Sequence, residues 1–180
     1  ARKLYEKLGF RSVGRTLHLL RQPGPVENQK LLYYPALRRA QSQDSAALLG
    51  LLRATVPAQH RALLGLRKTD YVVGWERTLD CWLSGCREEW WVVEEDGSLR
   101  GAVRALRERG HRPNRLEILV APGCEGAFEE MLVCQGLVKM PRLGEKIIGS
   151  ELPMANPAMI KALEKEGFKP ERVLIQMRYH

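Results

Sequence analysis

The hydrophobic pattern changes period several times along the chain, and each change marks an element. In residues 1 to 10, Leu4 and Leu8 share one helical face, Lys and Glu fill the other, and Gly9 closes the helix. Residues 10 to 21 read as a strand carrying Val13, Leu17 and Leu19, broken by Gln22, Pro23, Gly24 and Pro25. A lone helix and strand cannot bury a core, so this piece must pack on the rest of the chain or on a missing N-terminal part. Residues 26 to 35 form a connector, and 36 to 40 a short strand that opens a new unit. Asp44 or Ser45 then caps a helix with Leu48, Leu49, Leu51 and Leu52, which Pro57 ends. A second helical region takes in His60, Leu63, Leu64 and Leu66. Residues 71 to 83 place Trp75, Leu79 and Trp82 at helical spacing, where they read as core or groove wall.

The second half of the chain alternates more sharply. Residues 90 to 93 form a strand, Glu95 to Ser98 a tight turn, and 99 to 106 its antiparallel partner. After a charged loop, Leu116, Ile118 and Val120 alternate with Leu119 also apolar between them, the pattern of a central strand covered on both sides. Pro122 stops that strand, Gly123 and Gly126 supply a loop, and Ala127, Phe128, Met131 and Leu132 begin a helix that runs to 138. Strand, glycine loop and helix start make an anion-binding layout, because the free N–H groups of a helix N-terminus carry about +0.5 of a charge. Residues 145 to 152 form another strand. Asn156 is a good N-cap with Pro157 at the first helical position, the helix ends at Gly167, and 168 to 179 form the last strand with Val173, Leu174, Ile175 and Met177.

Composition narrows the class. The 180 residues are 44% hydrophobic, enough for one ordinary core and a little more. No run of about 18 apolar residues appears and the charged start is no signal peptide, so a soluble, cytoplasmic protein without a membrane partner is expected. Cys81, Cys86, Cys124 and Cys134 form no CxxC pair and have no His at ligand spacing, which reads as reduced packing thiols and no metal. The net charge of +8 invites a nucleic-acid reading. The basic residues are interleaved with acids, as in Arg107, Glu108, Arg109, and lack an aromatic platform, so a solvated surface is preferred.

The ending repeats the beginning. LYEKLGFRSVGRTLHLLR at 4 to 21 resembles ALEKEGFKPERVLIQMR at 162 to 178, each a helix closed by Gly-Phe and followed by a strand, with Gly9 and Gly167 standing 158 residues apart. These residues resemble the GNAT superfamily of acyl-CoA-dependent N-acetyltransferases. LYEKLGF looks like that family's C-terminal motif, EEDGSLRGAV like its second and third strands, and LEILVAP like its fourth. The resemblance covers residues 36 to 180 as one whole module and 1 to 22 as the tail of a preceding one, joined by a linker at 23 to 35.

That resemblance implies an α/β (α+β) fold: a mixed, twisted, mostly antiparallel sheet with helices on both faces, splayed between the family's fourth and fifth strands. It implies acetyl-CoA as co-substrate, with pantetheine against the backbone of Leu119 and Val120. The pyrophosphate would lie at Gly123, Glu125, Gly126 and Ala127, with Asn156 bordering the site. Two departures from the family pattern weaken this module. Glu125 puts an acid where a basic or amide residue is expected, and Leu163 stands where the family has a tyrosine general acid; such an acid contributes roughly 10²–10⁴-fold. Tyr5 occupies that tyrosine position in the N-terminal piece, and Glu117 is a candidate general base on the fourth strand. The expectation is an N-acetyltransferase acting on an amine-bearing small molecule or peptide, with chemistry in a missing N-terminal module or shared with a homo-oligomer partner. The alternative from another class is a non-catalytic interaction module.

Overall fold

Among the described residues, seven strands join edge to edge in the order β2-β3-β4-β5-β6-β1-β7. Their ranges are β1 Phe10–Arg21, β2 Leu37–Arg39, β3 Arg87–Glu95, β4 Ser98–Arg107, β5 Asn114–Val120, β6 Ile148–Pro153 and β7 Lys169–Tyr179. The helices are α1 Arg2–Lys7, α2 Ser45–Thr55, α3 Trp75–Leu83, α4 Glu129–Val138 and α5 Pro157–Lys165. The computed structural model describes residues 2–24, 34–58, 61, 66–140, 145–153 and 156–179, without the side chains of 2, 3 and 13. Most of the expected 23 to 35 linker, the helical region at His60, Leu63 and Leu64, Met154, Ala155 and His180 lie outside the described residues.

Strand β5 is the fourth of the seven and is covered on both sides, as expected from apolar residues on both of its faces: Leu116, Ile118 and Val120 on one and Leu119 on the other. Leu116 and Val120 join Val103, Leu132, Val133, Leu137 and Leu163 in the core under α4 and α5. Leu119 joins Ala102, Val92, Trp90 and the α2 leucines Leu48, Leu51 and Leu52 on the opposite face. Each of these leucines contributes about 1.5–3 kcal/mol by leaving water. All neighbouring strands are antiparallel except β5 and β6, which run parallel. The β3–β4 hairpin turns on Asp96 (φ 50°) and Gly97 (φ 69°), both left-handed as a type I′ turn requires. Asn156 caps α5 by accepting from the Met159 N–H at 2.9 Å, with Pro157 at the first helical position.

Three local expectations need correction. Trp75, Leu79 and Trp82 do not pack in the core: they face outward, Trp75 74% and Trp82 67% exposed, while Cys81 and Tyr71 turn inward. The helix begins only at Trp75, after the separate 3₁₀ turn Lys68–Tyr71, so Tyr71 does not share a helical stripe with Trp75, Leu79 and Trp82, and the helix turns Cys81 inward instead. Asp44 makes no side-chain cap to α2; its carboxylate accepts from the Gln41 N–H at 2.7 Å and pairs with Arg38 at 2.7 Å. Helix α4 starts at Glu129, two residues after Ala127 where its pattern begins, because Gly126 lies at φ 88° and keeps the loop out of the helix.

The N-terminal piece does not hang free. Strand β1 inserts between β6 and β7, pairing antiparallel with both. The two sequence repeats therefore lie side by side in one sheet, each a helix, a left-handed glycine (Gly9 φ 89°, Gly167 φ 84°) and a strand.

Candidate functional site

Strands β5 and β6 touch only at their starts, with Asn114 opposite Ile148 and Arg115 opposite Gly149. Beyond Arg115 they diverge, so among the described residues the β5 edge from Leu116 to Val120 that faces β6 has no strand partner. A cavity of about 950 Å³ fills the cleft, lined by Glu117, Leu119, Val120 and Leu152 of the two strands and by Arg104, Glu125, Asn156 and Met159 around them. Unpaired strand backbone beside a long cavity suits an extended, amide-bearing ligand, because main-chain bonds can continue the ladder. One acceptor on this edge is already engaged: Thr55 Oγ1 donates to the Val120 carbonyl at 3.1 Å.

The loop that follows β5 is occupied by its own carboxylates. The Gly123 N–H donates to Glu125 Oε2 at 2.8 Å. The Gly126 N–H at 2.8 Å and the Phe128 N–H at 3.2 Å both donate to Oε2 of Glu129, and the Ala127 N–H donates to the Cys124 carbonyl at 3.1 Å. Glu129 is 2% exposed and, among the described residues, its Oε1 has no hydrogen-bond partner. A carboxylate set on helix N-terminal N–H groups takes the place a phosphate would take, with the same charge sign and the same donors. The open slot fits a pantetheine arm; the filled cradle does not fit a pyrophosphate.

At the other side of the cavity lies a buried polar network built by strand register. Trp90 on β3 stands opposite Arg104 on β4, and Arg104 opposite Glu117 on β5, so all three share the α2 face. Arg104 donates to Glu88 Oε2 at 2.8 Å and to Glu117 Oε2 at 3.3 Å, and lies 5.6 Å from the centroid of the Trp90 ring. Arg77 approaches Glu88 Oε2 at 3.1 Å and the Trp90 N–H donates to Glu88 Oε1 at 2.7 Å. The Tyr71 hydroxyl donates to Oε1 of Glu117. Both oxygens of Glu117 are thus engaged. Burial, then the charge of Glu117, push the Tyr71 phenol far above its ordinary value, which keeps it an O–H donor. Burial opposes the charge on Arg104, but Glu88 and Glu117 outweigh it and the guanidinium stays charged. Burial likewise pushes Glu88 up, yet Arg104 and Arg77 bring its carboxyl below the usual range.

Of the residues singled out in the sequence, Glu117, Leu119, Val120, Glu125 and Asn156 line the cavity, and Gly123, Gly126 and Ala127 form the loop beside it. Tyr5 is not among the cavity-lining residues: it sits on α1, half exposed, its ring 5.6 Å from Phe10 and edge-on. Leu163 is fully buried under the sheet. The sequence reading missed Tyr71, Glu88, Arg104 and Glu129. The one available signal was Arg104, a charge inside the run Ala102, Val103, Ala105, Leu106. Among the described residues no three His, Cys, Asp or Glu side chains converge to hold a metal, and no helix is long and apolar enough to cross a membrane. Burial pushes the Cys81 thiol up to about 12 and that of Cys134 up to about 11, so both stay protonated at neutral pH.

The sheet is mixed and splayed between two parallel central strands, with a glycine loop and helix after the first of them. It is the GNAT fold. The structure is similar to a tandem GNAT protein from the clavulanic acid biosynthesis pathway, with 14% identity and a TM-score of 0.63 over 98% of this chain and 57% of that one. It is similar to an acetyltransferase of the GNAT family from Colwellia psychrerythraea, with 15% identity and a TM-score of 0.59 over 98% and 62%. A GCN5-related N-acetyltransferase from Sphaerobacter thermophilus gives 12%, 0.57, 98% and 54%. The chain thus spans little more than half the length of these three proteins. No family model and no curated protein matches the sequence.

Proposed function

We propose that this chain is the C-terminal part of a two-module GNAT acyltransferase that moves an acetyl group from acetyl-CoA to an amine-bearing small molecule or peptide in the cytoplasm, and that the module described above is itself weakly catalytic or inert. The observation that carries the reading is an open slot beside a closed cradle. The β5 edge retains the geometry for pantetheine, while Glu125 and Glu129 hold the N–H groups that a pyrophosphate needs. Leu163 cannot donate a proton to a departing thiolate, and Glu117 is pinned by Tyr71 and Arg104. In this reading Tyr5 serves as general acid in the preceding module, and Glu117 orients groups in the cavity.

Two measurements test it. Acetyl-CoA at millimolar concentration should raise the Tm of the 180-residue chain only slightly, since stabilisation follows RT ln(1 + [L]/Kd) and reaches about 2.7 kcal/mol only at a hundredfold excess over Kd. The protein expressed from its complete reading frame should show a larger shift and acetyl transfer, which Tyr5→Phe lowers by roughly 10²–10⁴-fold in kcat. No shift in either protein overturns the acyltransferase reading. The second reading, a non-catalytic interaction module, is favoured by the outward stripe of Trp75, Leu79 and Trp82. A strictly monomeric sedimentation profile together with acetyl transfer counts against it.

A further inference from the structure

The two repeats are related by a local two-fold axis that the strand register defines. With residues 158 apart taken as equivalents, Thr16 pairs with Leu174, which is its own equivalent. The flanking pairs exchange: Arg15 opposite Ile175 becomes Leu17 opposite Val173, and Arg11 opposite Arg178 becomes Leu20 opposite Lys169. Even the irregularities correspond, because the residue passed over on β1 is Val13 and the one passed over on β7 is its equivalent Glu171. The glycines obey the same relation. A Cβ at Gly9 would meet the Tyr179 ring at 3.3 Å, and one at Gly167 would meet Arg21 Nε at 3.8 Å, where Arg21 and Tyr179 are equivalents.

The symmetry of pairing is matched by an asymmetry of burial. On β1, Leu17 is 5% exposed and Leu19 fully buried, because β6 covers residues 16 to 21. Their equivalents on β7, Ile175 at 37% and the part-buried Met177, lie on an edge strand whose outer side no strand covers among the described residues. On α5, Ala162 is 2% exposed and Leu163 fully buried; on α1, their equivalents Leu4 and Tyr5 are 61% and 46% exposed. Apolar residues that are core in one copy stand in water in the other.

We infer that the β7 edge and the outer face of α1 dock a second module of this same fold, whose equivalent of β6 adds to the sheet beside β7 as β6 adds beside β1. This rests on the two-module reading above. Continuity with the existing β1–β7 pairing sets the geometry: the added strand runs antiparallel to β7 and covers Leu174 to Tyr179, the equivalents of Thr16 to Arg21, leaving Lys169 to Val173 uncovered. The 57% share of the tandem neighbour that this chain spans leaves room there for such a module. A second copy of the same 180 residues is a poorer occupant, since its own β6 is already paired with its β1.

Amide hydrogen exchange, compared between the 180-residue chain and the protein from the complete reading frame, tests this without any readout of activity. The expected result is at least tenfold slower exchange at 174 to 179 in the complete protein, with 169 to 173 unchanged. Sedimentation equilibrium on the 180-residue chain should give a monomer, and Ile175→Lys should leave its Tm within about 1 °C while lowering that of the complete protein by several degrees. Equal exchange in the two proteins, or protection spread evenly along β7, overturns the inference and leaves the acyltransferase reading standing. A concentration-dependent dimer protected at β7 overturns the choice of occupant. A complete sequence with no second GNAT-like module overturns both.

Discussion

Replacing Arg104 by Met removes the cation at the centre of the cavity network, and the consequences can be worked from its surroundings. The guanidinium lies 2.8 Å from Glu88 and 3.3 Å from Glu117, and the Glu88 side chain is only 5% exposed. Once Arg104 is gone, Glu88 keeps Arg77 at 3.1 Å and the Trp90 N–H at 2.7 Å, partial compensation for a buried carboxylate. Breaking a buried pair costs about 3–5 kcal/mol, and the surviving Arg77 contact places this case near the lower end, at ~3 kcal/mol. Urea unfolding at pH 7 should show the loss as a lower midpoint at unchanged slope. Adding Glu88→Gln to the same protein should recover most of it, to within ~1.5 kcal/mol of the starting protein, because the most deeply buried carboxylate is then neutral, Arg77 still has Asp70 at 3.7 Å, and Glu117, the more exposed acid, keeps the Tyr71 hydroxyl.

The pH dependence supplies an independent sign. In the starting protein the Glu88 carboxyl is depressed, so its contribution is present above the unfolded value of about 4.3 and is lost as pH falls through the lower folded value. In Arg104→Met burial prevails and the folded value rises above the unfolded one. The penalty is then absent below about 4.3 and grows as pH rises to the folded value. The stability gap between the two proteins must therefore narrow from pH 7 to pH 4. A loss under ~1 kcal/mol at pH 7, or a gap independent of pH, refutes the reasoning.

Glu125→Ala frees the exposed Gly123 N–H and should change stability by less than ~0.5 kcal/mol while enlarging the Tm shift that acetyl-CoA produces; an unchanged shift means that Glu125 does not obstruct the anion. Gly136→Ala should destabilise by up to ~2 kcal/mol in a denaturant titration despite its better helix propensity, because the new Cβ would lie 2.4 Å from Leu116 Cδ1 and 2.7 Å from Val103 Cγ2, both in the core. Asn156→Ala removes the cap on the Met159 N–H and should cost about 1 kcal/mol by the same titration, with Asn156→Asp close to neutral.

Much of the secondary structure was legible from local pattern. The hairpin, the central β5, the capped α5 and the paired helix-Gly-Phe-strand repeats each follow from side-chain period, turn chemistry or a left-handed glycine, and these act within a few residues of the chain. The departures at Glu125 and Leu163 were legible for the same reason, as single positions inside recognisable motifs. Pattern failed where orientation mattered. Trp75, Leu79 and Trp82 have an amphipathic spacing, but spacing states only that one face is apolar and not whether that face meets the sheet or the solvent.

What the sequence determined by itself is the set of elements, the repeat and the fold those elements compose, because propensity and periodicity are short-range. Only the tertiary structure decided the site. Glu88, Arg104 and Glu117 converge through the register of three neighbouring strands, and Glu129 reaches back to the Gly126 and Phe128 N–H groups because a left-handed glycine turns the loop over it. The self-equivalent pairing of Thr16 with Leu174 also belongs to the tertiary structure, since it joins segments at opposite ends of the chain. Interactions between residues far apart in sequence depend on where the backbone places them, and that placement is a property of the whole sheet.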